Sequence, residues 1–262
     1  MTIQSISKLV FSFFILISIG ACSSSSSDDG NNASENCSQL ATLDVSTAAS
    51  VTLGSPIELT ADYLDGVLYY WTGPNGFESY YHSPQISEAK YNDRGTYTCT
   101  ISKENCPDRV VSVNVDVNFP QGTPSCALTN NSAQFSGSLL LGNQTFGFST
   151  WEPAAVGNNY EIVANGINGD MSIYMSPYWN THDLEDGIYY TTNNISPEYF
   201  DFDKIYISNV NGGFYWQCEA NKPVYVSHVG GKQRISFCGI TFSGYQGGPT
   251  YYTTIKAQIT QP

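Results

Sequence analysis

Beyond residue 22 no stretch of the chain keeps an apolar residue at every third or fourth position, whereas short runs alternating apolar and polar recur throughout. Alternation is the period of a strand, whose successive side chains point to opposite faces. After residue 126 the runs are YEIVANGI, MSIYM, GIYYTT, KIYISNV, GFYWQC, PVYVSHV, RISFCGITF and TTIKAQIT. Turn signals divide them, at Asn168-Gly169-Asp170, Asp186-Gly187, Asn211-Gly212-Gly213 and Gly230-Gly231-Lys232. The pattern predicts an all-β protein. Over residues 126–262 it predicts a second β-domain, either an antiparallel sandwich or a partly closed barrel.

Charge narrows the partners. Only 13% of the residues are charged and the formal net charge is −13, with no basic patch. Nucleic acid and anionic lipid headgroups are poor partners on that ground, and no nucleic-acid partner is expected.

One segment is apolar enough to concern a membrane. LVFSFFILISI, Leu9 to Ile19, follows Lys8 and is 11 residues long. A spanning helix needs roughly 20 apolar residues, while the apolar core of a secretory signal runs about 7–15. Gly20 and Ala21 lead to Cys22, and a stretch rich in Ser, Asp, Asn and Gly follows. Such a stretch cannot bury enough surface to offset the entropy of ordering it.

Ile19-Gly20-Ala21-Cys22 resembles a bacterial lipobox. The resemblance implies a signal peptide over residues 1–21, lipid attachment at Cys22, and a flexible tether over 22–36. The membrane is then a partner through the lipid. Loss of Lys8 leaves nine basic residues against 23 acidic, a net charge of −14. Asp28 and Asp29 loosely resemble the acidic signal of some Bacteroidetes-type lipoproteins, which implies the cell envelope and the outer membrane, with the facing side left open.

Residues 37–118 carry their own signature. PIELTADY alternates, VLYYWTGPNGFESYY places Trp71 at a strand end before a turn, and NDRGTYTCTIS places Tyr97 two residues before Cys99. That last spacing is the tyrosine corner of immunoglobulin sandwiches. Trp71 to Phe77 (WTGPNGF) and Gly95 to Thr98 (GTYT) resemble the immunoglobulin-like modules of secreted Bacteroidetes proteins. The resemblance implies an immunoglobulin-like sandwich. The facing strand, IELTA, holds no cysteine, so Cys99 is expected to pack as a small hydrophobe. FPQGTPS, residues 119–125, reads as a linker. The second domain resembles uncharacterised β-domains of flavobacterial lipoproteins only loosely, and no residue is carried across.

Apart from Cys22 there are six cysteines, three in each domain. An even count in an exported chain predicts disulfides. Without a Cys-x-x-Cys pair, and with His82, His182 and His228 far apart, neither zinc nor any other cofactor is expected. Three cysteines allow one internal bridge per domain. Cys37 and Cys106 lie at the start and end of the first module and are expected to pair. Cys218 and Cys238 flank PVYVSHV; in a meander their strands would stand two spacings apart, about 9–10 Å, beyond the ~7 Å a disulfide tolerates. Cys126 is therefore expected to pair with Cys238 or Cys218, with Cys238 preferred as the mid-strand residue. The fate of Cys218 stays open.

Motifs of chemistry are sparse. There is no nucleophile elbow, phosphate loop or metalloprotease helix. The acids Asp183, Glu185 and Asp186 could join a calcium site with Asp170, Asp201 or Asp203, but their spacing matches no calcium loop, and the adopted reading is a solvated turn. Aromatic pairs recur, among them Tyr178-Trp179, Phe214-Tyr215-Trp216 and Tyr251-Tyr252. On a strand each pair sends one ring inward and one outward. Trp179 or Trp216, with Tyr178 and Tyr215, is expected to form an outward platform for a sugar ring or a protein. The function expected is non-enzymatic binding or adhesion, with a glycan or protein ligand. The alternatives are a structural accessory subunit of an envelope complex, or a small hydrolase using acidic residues.

Overall fold

The computed structural model describes residues 37–137, 142–147, 150–156, 159–175, 183–194 and 201–262, with backbone only over 150–160. Cys22, the signal and tether segments, Tyr178 and Trp179 lie outside the described residues. No helix among the described residues is long and apolar enough to cross a membrane.

After a helical turn over 37–42, which the strand pattern did not foresee, the first domain runs through eight strands. They are β1 (Val45–Thr47), β2 (Ser50–Thr52), β3 (Ile57–Ala61), β4 (Leu68–Thr72), β5 (Glu78–Ser79), β6 (Gln85–Ile86), β7 (Gly95–Ser102) and β8 (Arg109–Asn118). Two sheets form, ordered β1-β3-β6 and β2-β8-β7-β4-β5. β2 joins β8 in parallel, whereas the other pairs are antiparallel. The alternation IELTA is buried at Ile57, Leu59 and Ala61 and exposed between them, so one face of β3 meets the core. Trp71 and Cys99 are opposite one another in register and fully buried. Tyr97 donates its phenol hydrogen to the carbonyl of Asp93 at 2.6 Å, which is the tyrosine corner. The domain is an immunoglobulin-like sandwich. Cys37 and Cys106 are bridged, their Cα atoms 5.4 Å apart.

The second domain holds β9 (Ser132–Gly137), β10 (Gln144–Thr145), β11 (Thr150–Val156), β12 (Asn159–Gly166), β13 (Gly169–Met175), β14 (Gly187–Thr191), β15 (Lys204–Asn211), β16 (Phe214–Cys218), β17 (Pro223–Val229), β18 (Lys232–Tyr245) and β19 (Tyr251–Thr260). Together they form a single sheet ordered β10-β9-β19-β18-β17-β14-β15-β13-β12-β11. β16 lies off this path and pairs with both β15 and β18. β18 and β15 are thus joined twice, through β17 and β14 at one end and through β16 at the other. The sheet rolls until its ends meet, because Phe146 bridges Gly166 of β12. Gln144, fully buried, donates to the carbonyls of Gly169 and Val210 and accepts from Asn209 at 2.6 Å. Those bonds fasten β10 across the roll. Of the two predicted architectures the partly closed barrel is formed.

Here the meander expected around PVYVSHV gives way. β16 does not border β17; it pairs with β18 at Phe242–Tyr245, with Cys218 opposite Phe242. Cys218 is kept from Cys238 by its place four residues along β18 and by its inward direction, not by an intervening strand. The bridge is Cys126–Cys238, with Cα atoms 5.8 Å apart. Cys99 and Cys218 are free and buried.

Residues 119–125 do not hang between the domains. Phe119 is buried and stacks on Tyr189 at 4.4 Å between ring centroids. Tyr91, from the first domain, stacks on Phe202 at 4.5 Å. The core of the second domain therefore continues through Phe119 to Tyr91.

Candidate functional site

β16 decides which aromatics face outward. In FYWQC the side chains of Phe214, Trp216 and Cys218 share one face, while Tyr215 and Gln217 share the other. Trp216 is fully buried. It lies against Gly244, its partner in register, where an added Cβ would come within 2.5 Å of the indole. Its Nε1–H donates to the carbonyl of Asn211 at 3.2 Å. The expectation that Trp216 binds a ligand is thus corrected: the ring covers the bare backbone of a glycine and fills the core. Trp179 and Tyr178, the other members of the expected platform, lie outside the described residues.

Tyr215 is where the expectation places it, 43% exposed. The structure gives it neighbours that the sequence reading did not select. Tyr245 of β18 is directly opposite Tyr215, and Val210 of β15 is opposite on the other side. Tyr252 of β19 pairs with Ser243, two residues before Tyr245 on the same face. Tyr245 and Tyr252 are 62% and 60% exposed. Side chains directly opposite in a sheet have Cβ atoms about 4.5–5.5 Å apart, and diagonal neighbours about 7–8 Å. The three rings therefore form a step across β16, β18 and β19.

The next positions on that face are Gln217, Ser243 and Thr254, which offer amide and hydroxyl groups. No charged side chain stands among these residues, although the chain carries a net charge of −13. The nearest cation along β19 is Lys256, held by the carbonyl of Ala127 at 3.0 Å. Beside the step, on the same face of β15 as Val210, Tyr206 is buried, with its hydroxyl 3.3 Å from that of Tyr215. Burial pushes the Tyr206 phenol well above its ordinary range, so it stays protonated and can serve as a fixed hydrogen-bonding support for Tyr215. Polarity flags this face in the sequence: Gln217 and Ser243 mark the outward phase of β16 and β18, and Lys256 and Gln258 mark it on β19.

Two other groups have weaker claims. On the first domain Tyr63, Tyr80 and Tyr81 are exposed, but Tyr80 stacks on Tyr70 at 5.0 Å and Tyr63 packs against His82 at 5.5 Å. Tyr80 and Tyr63 are thus each engaged with a neighbouring ring of the first domain. Between the domains lies a cleft of about 380 Å³, lined among others by Lys90, Tyr91, Tyr190, Phe202 and Lys204. There Tyr91 and Phe202 cover one another, and Lys204 is paired with Asp203 at 3.0 Å.

The acidic residues do not gather into an ion site. Asp183 and Asp186 both engage His228, Glu185 engages Arg94, Asp170 accepts from the amide of Gly166, and Asp203 pairs with Lys204. Among the described residues no three His, Cys, Asp or Glu side chains are placed to hold one metal ion.

An immunoglobulin-like domain packed on a rolled β-domain with a tyrosine face is the class that fold and site define. No family model matches the chain. No curated protein matches it. Solved structures overlap it only distantly. The structure of Dpr2 Ig1-Ig2 in complex with DIP-Theta Ig1-Ig3 is 15% identical over 82% of this chain, with a TM-score of 0.27. The chain spans 64% of that structure's length. Murine CEACAM1b is 11% identical over 83% of this chain and 99% of its own, also at 0.27. A mouse coronavirus receptor-binding domain complexed with its murine receptor gives 10% identity over 84% of this chain and 96% of the match, at 0.27. The assignment of the fold rests on the strand pairing and the tyrosine corner, and these overlaps add no ligand.

Proposed function

We propose that the protein is a lipid-anchored, non-enzymatic binding protein of the bacterial cell envelope, and that its second domain binds a neutral glycan. The observation that carries this reading is the step of Tyr215, Tyr245 and Tyr252. Tyrosine rings present an apolar face for stacking and a hydroxyl for bonding. Amide and hydroxyl neighbours suit sugar hydroxyls, and the lack of charge suits an uncharged chain. The immunoglobulin-like domain and the tether then set the distance of this face from the membrane.

Each stacking contact is worth about 0.5–1.5 kcal/mol beyond the area it buries. Replacing any one of the three tyrosines by alanine should weaken glycan binding roughly two- to twelvefold. A glycan array followed by affinity electrophoresis in the bound polysaccharide measures this. Binding that is equal in wild type and all three variants counts against the face; binding to proteins alone replaces the glycan by a protein ligand. Anchoring has its own test. Cys22→Ala should leave the membrane fraction or remain an unprocessed precursor, and a processed mutant that still sediments with membranes contradicts the lipid.

A further inference from the structure

The acidic turn that precedes β14 has no part in the tyrosine face. It closes instead on a histidine. His228, near the end of β17, has both ring nitrogens on carboxylates, with Nδ1 2.6 Å from Asp186 Oδ1 and Nε2 2.7 Å from Asp183 Oδ1. An ionised carboxylate only accepts, and a neutral imidazole carries a single N–H. Two such bonds to carboxylates therefore require the imidazolium. Gln233, opposite His228 on β18 and fully buried, donates a further bond to Asp183 Oδ1 at 3.2 Å.

The same turn holds the domains together. Between the two aspartates, Leu184 is buried, and Glu185 accepts from the Tyr91 hydroxyl at 2.8 Å and from Arg94 at 3.0 Å, both in the first domain. The Asp186 carbonyl accepts from Gln121 at 2.9 Å, and the Ile188 amide donates to the Pro120 carbonyl at 2.7 Å. One side of the turn is thus fixed to β17 and the other to the first domain and the connecting segment.

We propose that His228 is a proton-dependent latch: as imidazolium it fixes the turn 183–186, and with it the contact between the two domains, and on losing its proton it loosens that contact. The charges facing it agree. The hydrogen bond with Asp183 raises its pKa most, partial burial opposes this, and the bond with Asp186 adds to the rise. Of the β18 cations beside Gln233, Arg234 is turned to Thr260 and Lys232 is exposed opposite Val229. Glu185 is already engaged with the first domain. A folded pKa raised above the unfolded value of about 6.5 sets the sign. The latch is complete below about pH 6.5 and is lost as pH rises through the folded value.

Two NMR readouts on the same sample test this, the titration of the His228 ring and the hydrogen-exchange protection of the Ile188 amide, corrected for intrinsic exchange. The His228 midpoint should lie above about 6.5, and Ile188 protection should fall across the same pH window. In His228→Gln the protection should be low and flat through that window. Should that variant not fold, Asp183→Asn serves, and both the midpoint and the loss of protection should move to lower pH together. A midpoint at or below about 6.5, or Ile188 protection equal on both sides of the His228 transition, overturns the latch.

Discussion

Tyr97, Cys99 and Cys218 are polar groups held away from water, and burial treats each alike. It pushes the Cys99 thiol up to about 11 and the Cys218 thiol up to about 12, and it is also the main reason the Tyr97 phenol stands at about 12. All three shifts are upward, so their contribution to stability is whole below the unfolded values, about 8.5 for cysteine and 10 for tyrosine. It is lost as pH rises through the folded ones. Chemical denaturation repeated up to strongly alkaline pH should show stability declining above about pH 8.5, over and above the loss that the raised His228 pKa brings above about pH 6.5. The same burial predicts that a thiol reagent modifies neither Cys99 nor Cys218 until the protein unfolds; prompt reaction of the native protein at either would contradict their placement. Trp216 and Tyr215 are adjacent yet should behave oppositely. Trp216→Ala removes a core ring and should cost about 3–5 kcal/mol of stability. Tyr215→Ala should stay within about 0.5 kcal/mol, as surface changes do, and act chiefly on binding. The difference was legible in FYWQC, because Gln217 fixes the outward phase. What the residues did not announce is Gly244, which lies on another strand and is set opposite Trp216 only by the pairing of β16 with β18; that is where the indole finds its seat.

At the scale of elements, alternation located the longer strands of the first domain, such as β3, β4 and β7, since each has one face in the core and a water-facing side between, whereas the two- and three-residue strands β1, β2, β5 and β6 are too short to show a period. The tyrosine-corner spacing placed β7 within its sandwich. Pairing order in the second domain was less legible. β14 joins β15 in parallel, and β16 leaves the path to close the sheet against β18. Such order depends on contacts between residues distant in sequence, Gln144 with Val210 among them, and no local period encodes those. Hence the Cys126–Cys238 bridge agreed with expectation while the meander invoked for it did not form. Replacing both Cys126 and Cys238 by alanine opens a link spanning 112 residues and should cost about 2–5 kcal/mol. A denaturation midpoint unchanged by that double replacement would show that the bridge does not fasten the roll. Gly187 marks a second element-level constraint. It sits at φ +155°, and a Cβ there would meet Phe119 at 2.3 Å. Gly187→Ala should therefore push the connecting segment off β14, which exchange at the Ile188 amide would detect.

Over the whole molecule, sequence composition suggested two domains on a linker, but Phe119 and Tyr91 are built into the core of the second domain, and Leu53 packs against both cores. That continuity was hidden because FPQGTPS looks like a spacer by its prolines and glycine, while its first residue is an anchor. The tyrosine face lies on the second domain, against which the first domain is packed through Tyr91 and Arg94. The central claim is that Tyr215, Tyr245 and Tyr252 together form the glycan-binding face. It is tested most directly by mapping tyrosine ring resonances by NMR while a glycan identified on the array is titrated in. The account predicts that shifts concentrate on Tyr215, Tyr245 and Tyr252 and saturate with one common affinity. Shifts confined to Tyr63, Tyr80 and Tyr81 of the first domain, or to Tyr190 in the interdomain cleft, would contradict it.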